Sequence, residues 1–480
     1  MGSSIYKSPS MRLSLTAFFC LYVLQASAQT LSQKVERAYS VLKHDPQLKY
    51  ASVSLTVLNA ENGEILFSDN GNTGLAPAST LKTVTSATAY HLLGADHTWN
   101  TTLGYSGNIS ADGTLHGDLI ITGVGDPSLG SWRYSQTKPE AVFSKWVEAI
   151  RAGGIKRITG RLVADDTIFG TQTLPSGWIW QDIGNYYGAG PNSLTWHENQ
   201  FDLIFKPGIK AGDPAMLLRT VPEMSYLKIV NEVKTGKAGS GDNVYAYSAP
   251  YMNIIYLRGT YGLDLKKTIS ASVPDPAYEL AYRLQDTLKG LGIAFSAGIT
   301  TGRQLLADNQ NFRPVDKVLT VHTSPTLSQI VYWFNQKSIN LYGEHLVKAM
   351  ALRSGKEAGT PEGVEAVKDF WHSKLSIDEN ALNIYDGSGL SPGNRITTLA
   401  MAQILQSARK EPWFKSYFDS FPTYNNMKMK SGSINDVIAY TGYETSASGT
   451  PVVFSIIINN YNGSSSAVRQ KMFRVLDVLK

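Results

Sequence analysis

Apolar and polar positions along the chain fall into blocks of different period. LSQKVERAYSVLK, from Leu31, spaces its apolar residues by three and four and predicts a helix. Over residues 51–69, ASVSLTVLNA alternates, ENG turns and EILFSD alternates again, which predicts a β-hairpin. ASTLKTVTSATAYHLLG then predicts a helix that starts at Ser79, just after Pro77, and stops at Gly94.

From about residue 96 to 316, short alternating runs such as GDLIITG, QFDLIFKPG, NVYAYS and NIIYLRG stand between Gly/Asn/Asp turns. Two segments within this β-rich stretch share one plan. AVFSKWVEAIRAGGIKRITGRLVADD and AYELAYRLQDTLKGLGIAFSAGI each read as a helix, a glycine stop and a strand that starts at an isoleucine. From about 317, helical periods return in TLSQIVYWFNQK, NLYGEHLVKAMALR, PEGVEAVKDFWHSKL and TTLAMAQILQSARK. The chain closes with strand patterns in KMKSG, IAYTGYE and VVFSIIINNY and a last helix, AVRQKMFRVLDVLK. The expected fold class is α/β. Residues 29–95 and 317–480 form one domain of helices on a sheet. Residues 96–170 with 265–316 form an inserted domain, and 171–264 a second one nested inside it. The last helix carries Val468, Met472, Val475 and Leu479 as a stripe, read as packing on the sheet in preference to a loose membrane association.

The N-terminus adds a destination. Lys7 and Arg12 precede the apolar run LSLTAFFCLYVLQ, and ASAQ offers cleavage after Ala28, so residues 1–28 read as a signal peptide, with Met11 as a second candidate start. The protein is expected to be exported, periplasmic or extracellular. Loss of Lys7 and Arg12 takes the formal net charge from +5 to +3, and no Lys/Arg run points to nucleic acid. The only cysteine, Cys20, lies in the signal, so the mature chain has no disulfide, thiolate metal site or cysteine nucleophile. The eight histidines are scattered, with no H-E-x-x-H or H-x-H pair, and read as structural. A Ser–His–Asp triad assembled from distant residues is the less favoured alternative. No metal or cofactor is expected.

Candidate chemistry centres on serine. Six Ser-x-x-Lys strings start at Ser4, Ser40, Ser79, Ser135, Ser225 and Ser407, and only Ser79 begins a predicted helix. Positions i and i+3 share a helix face, so Lys82 reaches the Ser79 hydroxyl. The helix dipole and burial both favour the neutral amine, which then accepts the serine proton. The competing reading is an ordinary helix-capping serine followed by a surface lysine. GLSPG, Gly389 to Gly393, matches a nucleophile elbow, but the residue after Ser391 is Pro392, which has no N–H for an oxyanion; Ser391 is rejected. Two companion motifs also occur twice. SIN stands at Ser338–Asn340, between two helices, and at Ser433–Asn435. KTG stands at Lys234–Gly236 in a glycine-rich turn, and KSG at Lys430–Gly432 on a C-terminal strand.

The order Ser79–Lys82, Ser338–Asn340, Lys430–Gly432, with a long insertion after the first motif, resembles the class C low-molecular-mass penicillin-binding proteins. These are D-alanyl-D-alanine carboxypeptidases/endopeptidases. GVGDPSL, RLVADDTIF, KSINLYGEHL and DGSGLSPGNRIT look like family signatures. The resemblance implies a penicillin-binding, serine β-lactamase-like domain on a mainly antiparallel sheet, interrupted by two nested insertions. It implies that Ser79 is acylated, Lys82 takes its proton, Ser338 relays the proton to the leaving group and Asn340 orients Lys82 and the substrate amide. Lys430 would supply charge near the substrate's terminal carboxylate and Ser431 would bond it, while Gly432 lets the substrate lie along the strand. The N–H groups of Ser79 and Ser433 would form the oxyanion hole. Asp166, with Asp165 beside it as the alternative, would contact a free amine on the stem peptide. The implied partners are peptidoglycan stem peptides, and β-lactam antibiotics as inhibitors. Two departures are Ser431, where threonine is common, and Ile339, where aspartate is frequent. The alternatives are a β-lactamase or esterase of the same fold, or a catalytically silent envelope-binding protein.

Overall fold

Strand Pro451–Asn459, sequence PVVFSIIIN, is almost continuously apolar because both of its faces are covered. Val453 and Ile457 point into one core, with residues of helices Leu81–Leu92, Leu327–Lys337, Asn340–Arg353 and Thr398–Ala408. Phe454, Ile456 and Ile458 point into the other, with helices Leu31–Lys43 and Ser465–Leu476. The computed structural model of the protein describes residues 1–3, 29–311 and 313–480. The signal peptide expected over 1–28 therefore lies, beyond its first three residues, outside the described residues.

The central sheet runs Ile65–Asp69, Ser52–Asn59, Pro451–Asn459, Val437–Thr445, Met427–Ile434, Thr423–Tyr424, with every pair antiparallel. The N-terminal hairpin is thus sealed to the last strand, and the two halves of the chain close one domain. Val468, Met472, Val475 and Leu479 are almost wholly buried under this sheet, so the stripe of the last helix is used up in the fold. Among the described residues no helix is long and apolar enough to cross a membrane.

The insertion folds separately around its own cores. Helices Pro139–Ala152 and Pro276–Gly290 are the two repeat units seen in the sequence. Their strands lie side by side and parallel: Arg157–Ile158 with Ala294–Phe295, and Leu162–Asp165 with Ile299–Thr301. Pairing shifts two of the expected boundaries. Lys317–Thr323 closes the insertion's five-stranded sheet against Asn100–Tyr105, so that sheet extends past 316. Ile269–Ser272 pairs with Gln200–Lys206, so the nested part extends past 264. The break read between Asp264 and Leu265 falls in an internal turn, where the Leu265 N–H bonds the Gly262 carbonyl.

Candidate active site

Three elements converge on one cleft. The chain leaves Pro77 through Ala78, held at φ 46°, makes one 3-10 turn over Ala78–Thr80 and enters helix Leu81–Leu92. A left-handed alanine is backbone strain placed next to Ser79. Neither helix start here has a side-chain cap, and the Ser79 hydroxyl instead meets Lys82 Nζ at 3.0 Å. The capping reading of Ser79 is therefore not what the structure shows. Helix Leu327–Lys337 ends at Ser338, itself left-handed at φ 56°, and Asn340 begins the next helix. That tight connection aims Ser338 and Asn340 into the cleft beside Ser79. Strand Met427–Ile434 supplies the third wall. A Cβ on Gly432 would stand 2.5 Å from the Pro77 carbonyl oxygen and 2.9 Å from the Ser79 nitrogen. Glycine is what lets this strand lie against the serine turn.

Two serine–lysine pairs result. Lys82 Nζ contacts Ser79 Oγ at 3.0 Å, Asn340 Oδ1 at 2.6 Å and the Ser388 carbonyl at 2.6 Å. Lys430 Nζ contacts Ser338 Oγ at 3.0 Å and the Ser431 carbonyl at 2.8 Å. Asn340 is fixed from its other end, where Nδ2 donates to the Tyr187 carbonyl at 2.7 Å. Both lysines are fully buried, a costly place for a charge. Burial pushes Lys82 down to about 7, against the opposing pull of Asp386 and Glu344. Burial, and then the positive charge of Lys82, push Lys430 well below the ordinary lysine value. The cleft encloses about 360 Å³, and its lining includes Ser79, Asp182, Ser338, Asn340 and Ser433. No histidine is among its described lining residues. His345 is buried elsewhere, bonded to Thr195 and to the Gly125 carbonyl.

Asp166 is not brought to this cleft. It is buried, accepts from the Arg303 N–H at 2.8 Å, and sits with Arg303 and Asp275 inside the insertion. Asp165 is occupied by Thr167, whose N–H and hydroxyl it accepts. The carboxylate that lines the cleft is Asp182, in GWIWQDIGNYYG, bonded by the Tyr187 hydroxyl at 3.2 Å. Burial raises its proton affinity, and the tyrosine bond offsets part of that.

Residues 34–479 match the D-Ala-D-Ala carboxypeptidase 3 (S13) family. The chain belongs to that family. It is 28% identical to the D-alanyl-D-alanine carboxypeptidase of Actinomadura sp. (strain R39), over 94% of this chain and 85% of the relative. The crystal structure of penicillin binding protein 4 (dacB) from Haemophilus influenzae has the same fold, with TM-score 0.77 and 23% identity over 91% of this chain and 98% of that one. The same Haemophilus influenzae protein complexed with a novel β-lactam superposes with TM-score 0.71 and 22% identity, over 92% and 99% of the two chains. The family resemblance and the fold class expected from the sequence stand, and the activity class is that of a serine D-Ala-D-Ala peptidase.

Sequence reasoning on this S13 peptidase missed the supports behind Lys82. Loop Asp386–Asn394 packs directly on the serine turn, so that a Cβ on Gly389 would meet the Ala78 carbonyl at 1.8 Å. The Asp386 carboxylate ties the loop by accepting from the Gly389 and Ser391 N–H groups, Asn394 Nδ2 and Trp178 Nε1. The loop then presents the Ser388 carbonyl to Lys82. Ser391, rejected as a nucleophile, is fully buried and donates to the Gly177 carbonyl. Glu344 lies behind it. One of its oxygens accepts from the Gly387 N–H at 3.1 Å and the other has no partner. Burial and Asp386 raise Glu344 to about 8. The signature DGSGLSPGNRIT marked this loop, but its polar contacts to Lys82 run through a backbone carbonyl, which leaves no mark in a sequence.

Proposed function

We propose that Ser79 is the acylated nucleophile of a D-Ala-D-Ala carboxypeptidase/endopeptidase acting on peptidoglycan stem peptides. The contact set of Lys82 carries the reading. Asn340 Oδ1 and the Ser388 carbonyl only accept hydrogen bonds, so they take the two N–H groups of a neutral amine. The nitrogen lone pair is left for the Ser79 hydroxyl. Lys82 then removes the serine proton as Ser79 Oγ bonds the D-Ala carbonyl carbon. The Ser79 and Ser433 N–H groups hold the oxyanion. The C–N bond breaks, and the leaving amine takes a proton through Ser338, whose hydroxyl touches Lys430. Water attacks the ester and regenerates Ser79. Lys430 and Ser431 bind the terminal carboxylate, whose charge compensates the buried ammonium. Asp182, which lines the cleft as Asp166 does not, takes the role of contacting a free amine on the stem peptide.

The three-part division of the chain, with edges moved to about 272 and 323 by strand pairing, belongs to this reading. So do export to the cell envelope, which follows from a peptidoglycan substrate, and inhibition by β-lactams, since a relative of this fold has been solved with one. Labelling with a fluorescent penicillin tests the proposal. The native protein should label covalently and release D-Ala from a pentapeptide. Label that persists in Ser79→Ala overturns the site, and fast turnover of a chromogenic cephalosporin without D-Ala release makes the protein a β-lactamase.

A further inference from the structure

A second surface leads out of the cleft. Strands Asp242–Tyr247 and Ile254–Gly262 pair antiparallel, with Tyr247 opposite Tyr256 and Tyr245 opposite Arg258. Val244, Ala246, Ile255 and Leu257 fill the core on one face. The other face would ordinarily be small and polar, yet it carries Tyr245, Tyr247, Tyr256 and Arg258. Tyr256 is 39% exposed and Trp180, packed edge-on to Tyr247 at 5.1 Å, is 59% exposed. The Arg258 guanidinium lies 5.3 and 5.6 Å from the ring centres of Tyr247 and Tyr256, and Glu232 holds it at 2.9 Å. These side chains are fixed by one another, so little order has to be gained on binding.

The surface is continuous with the catalytic cleft. Trp180 opens the short helix Trp180–Ile183, and its neighbours Ile179 and Asp182 line the cleft. The segment is locked to the sheet. The Ala246 N–H donates to Asn185 Oδ1 at 3.1 Å, and a Cβ on Gly184 would meet the Ala246 carbonyl at 2.0 Å. Anything attached to a peptide in the cleft and long enough to leave it past Asp182 meets this row.

We propose that the Trp180–Tyr247–Tyr256–Arg258 face is a saccharide-binding platform that seats the glycan strand carrying the stem peptide. The inference rests on the peptidoglycan reading above. Hexosamine rings present a C–H face that packs on aromatic rings, and a rim of hydroxyl and amide groups that bonds arginine and phenol groups. An aromatic row of exposed Trp180, half-buried Tyr247 and exposed Tyr256 on an enzyme expected to be exported calls for such a partner.

The test uses the Tyr256→Ala/Arg258→Ala double variant of the whole protein, changed only on the outer sheet face. Release of D-Ala is measured from uncross-linked glycan strands bearing pentapeptides and from the free pentapeptide. Expected is a fall of about fivefold to tenfold in kcat/KM on the polymer, with the free peptide unchanged. Co-sedimentation with glycan strands stripped of their peptides should also fall. Equal rates on both substrates with undiminished co-sedimentation would overturn the platform. A twofold sedimentation mass in the native protein that becomes single in the variant also overturns it, and assigns the face to a second copy. Co-sedimentation needs no turnover, so a native protein that binds glycan but cleaves no pentapeptide refutes the peptidase reading and leaves the platform standing.

Discussion

Two serine–lysine pairs face each other across one cleft, each at 3.0 Å, each with a buried lysine, and their surroundings differ. Lys82 has three contacts and two carboxyl groups behind it, Asp386 and Glu344, which favour its protonated form and partly offset burial. Lys430 has two contacts, and the charge that acts on it is that of Lys82, which disfavours its ammonium. The first lysine is therefore poised near neutrality in the free enzyme, as a general base should be. The second lacks a counter-charge until an anion arrives. In the proposed mechanism the same two residue types at the same distance take the roles of base and anion receptor because of what stands behind them.

The sharpest way to break this comparison is to remove each lysine in turn. Lys82→Ala should lower the rate of penicillin acylation by about 10³-fold, the scale of a lost general base, with substrate affinity little changed. In the native protein kcat/KM for acylation should rise with pH through about 7, because the neutral form of Lys82 is the competent one. A rate that is flat from pH 5 to 9 would deny Lys82 that role. Lys430→Gln should cost about 10²-fold on peptides that end in a free carboxylate, the scale of a charge-assisted bond. A neutral ester of the same peptide should lose far less. Equal losses on acid and ester would make Lys430 a structural or proton-relay group and erase the contrast. Asp182→Asn should lower kcat/KM about tenfold on a stem peptide with a free side-chain amine, and leave its N-acetylated form unchanged. Equal effects on both forms would place that contact on another carboxylate.

What the sequence made legible follows the same division. Ser79, Lys82, Ser338, Asn340, Lys430 and Gly432 were legible as short motifs at fixed offsets beside or on periodic elements, and the structure gathers all six. The sequence led us to expect the N-terminal hairpin and the C-terminal strands in one domain, but the pairing of Ser52–Asn59 with Pro451–Asn459 is carried by neither fragment alone. Asp166 was misplaced for a physical reason. An acid after a strand looks alike whether it faces a cleft or a buried arginine, and Arg303, 137 residues later, decides the matter. Asp182 had a signal, a lone carboxylate among tryptophans and tyrosines that break the alternation, but its place in the cleft depends on how the segment returns from the insertion. Ile269–Ser272 joined the wrong part for a similar reason, since its partner lies nearly the whole nested unit away.

The smallest expected effect probes the asymmetry most directly. Charged groups facing Glu344 are Asp386, Lys82 and Lys348. Raised to about 8, Glu344 is a neutral acid through most of the range in which Lys82 loses its proton, and its ionised form favours protonated Lys82. The two titrate as a pair. Glu344→Gln keeps the shape and an oxygen for the Gly387 N–H, but cannot carry the charge. Removing a group that stabilises the ammonium lowers the proton affinity of Lys82. The acid limb of the acylation profile should therefore move to lower pH, with the plateau rate within about twofold of native. A limb that stays in place while the plateau falls would mean that Glu344 only supports the Gly387–Ser388 loop. A limb that moves to higher pH would mean that the carboxyl acts on Lys82 as a hydrogen-bonding acid instead of a charge, and the counter-charge account of the two lysines would have to be rebuilt on Asp386 alone.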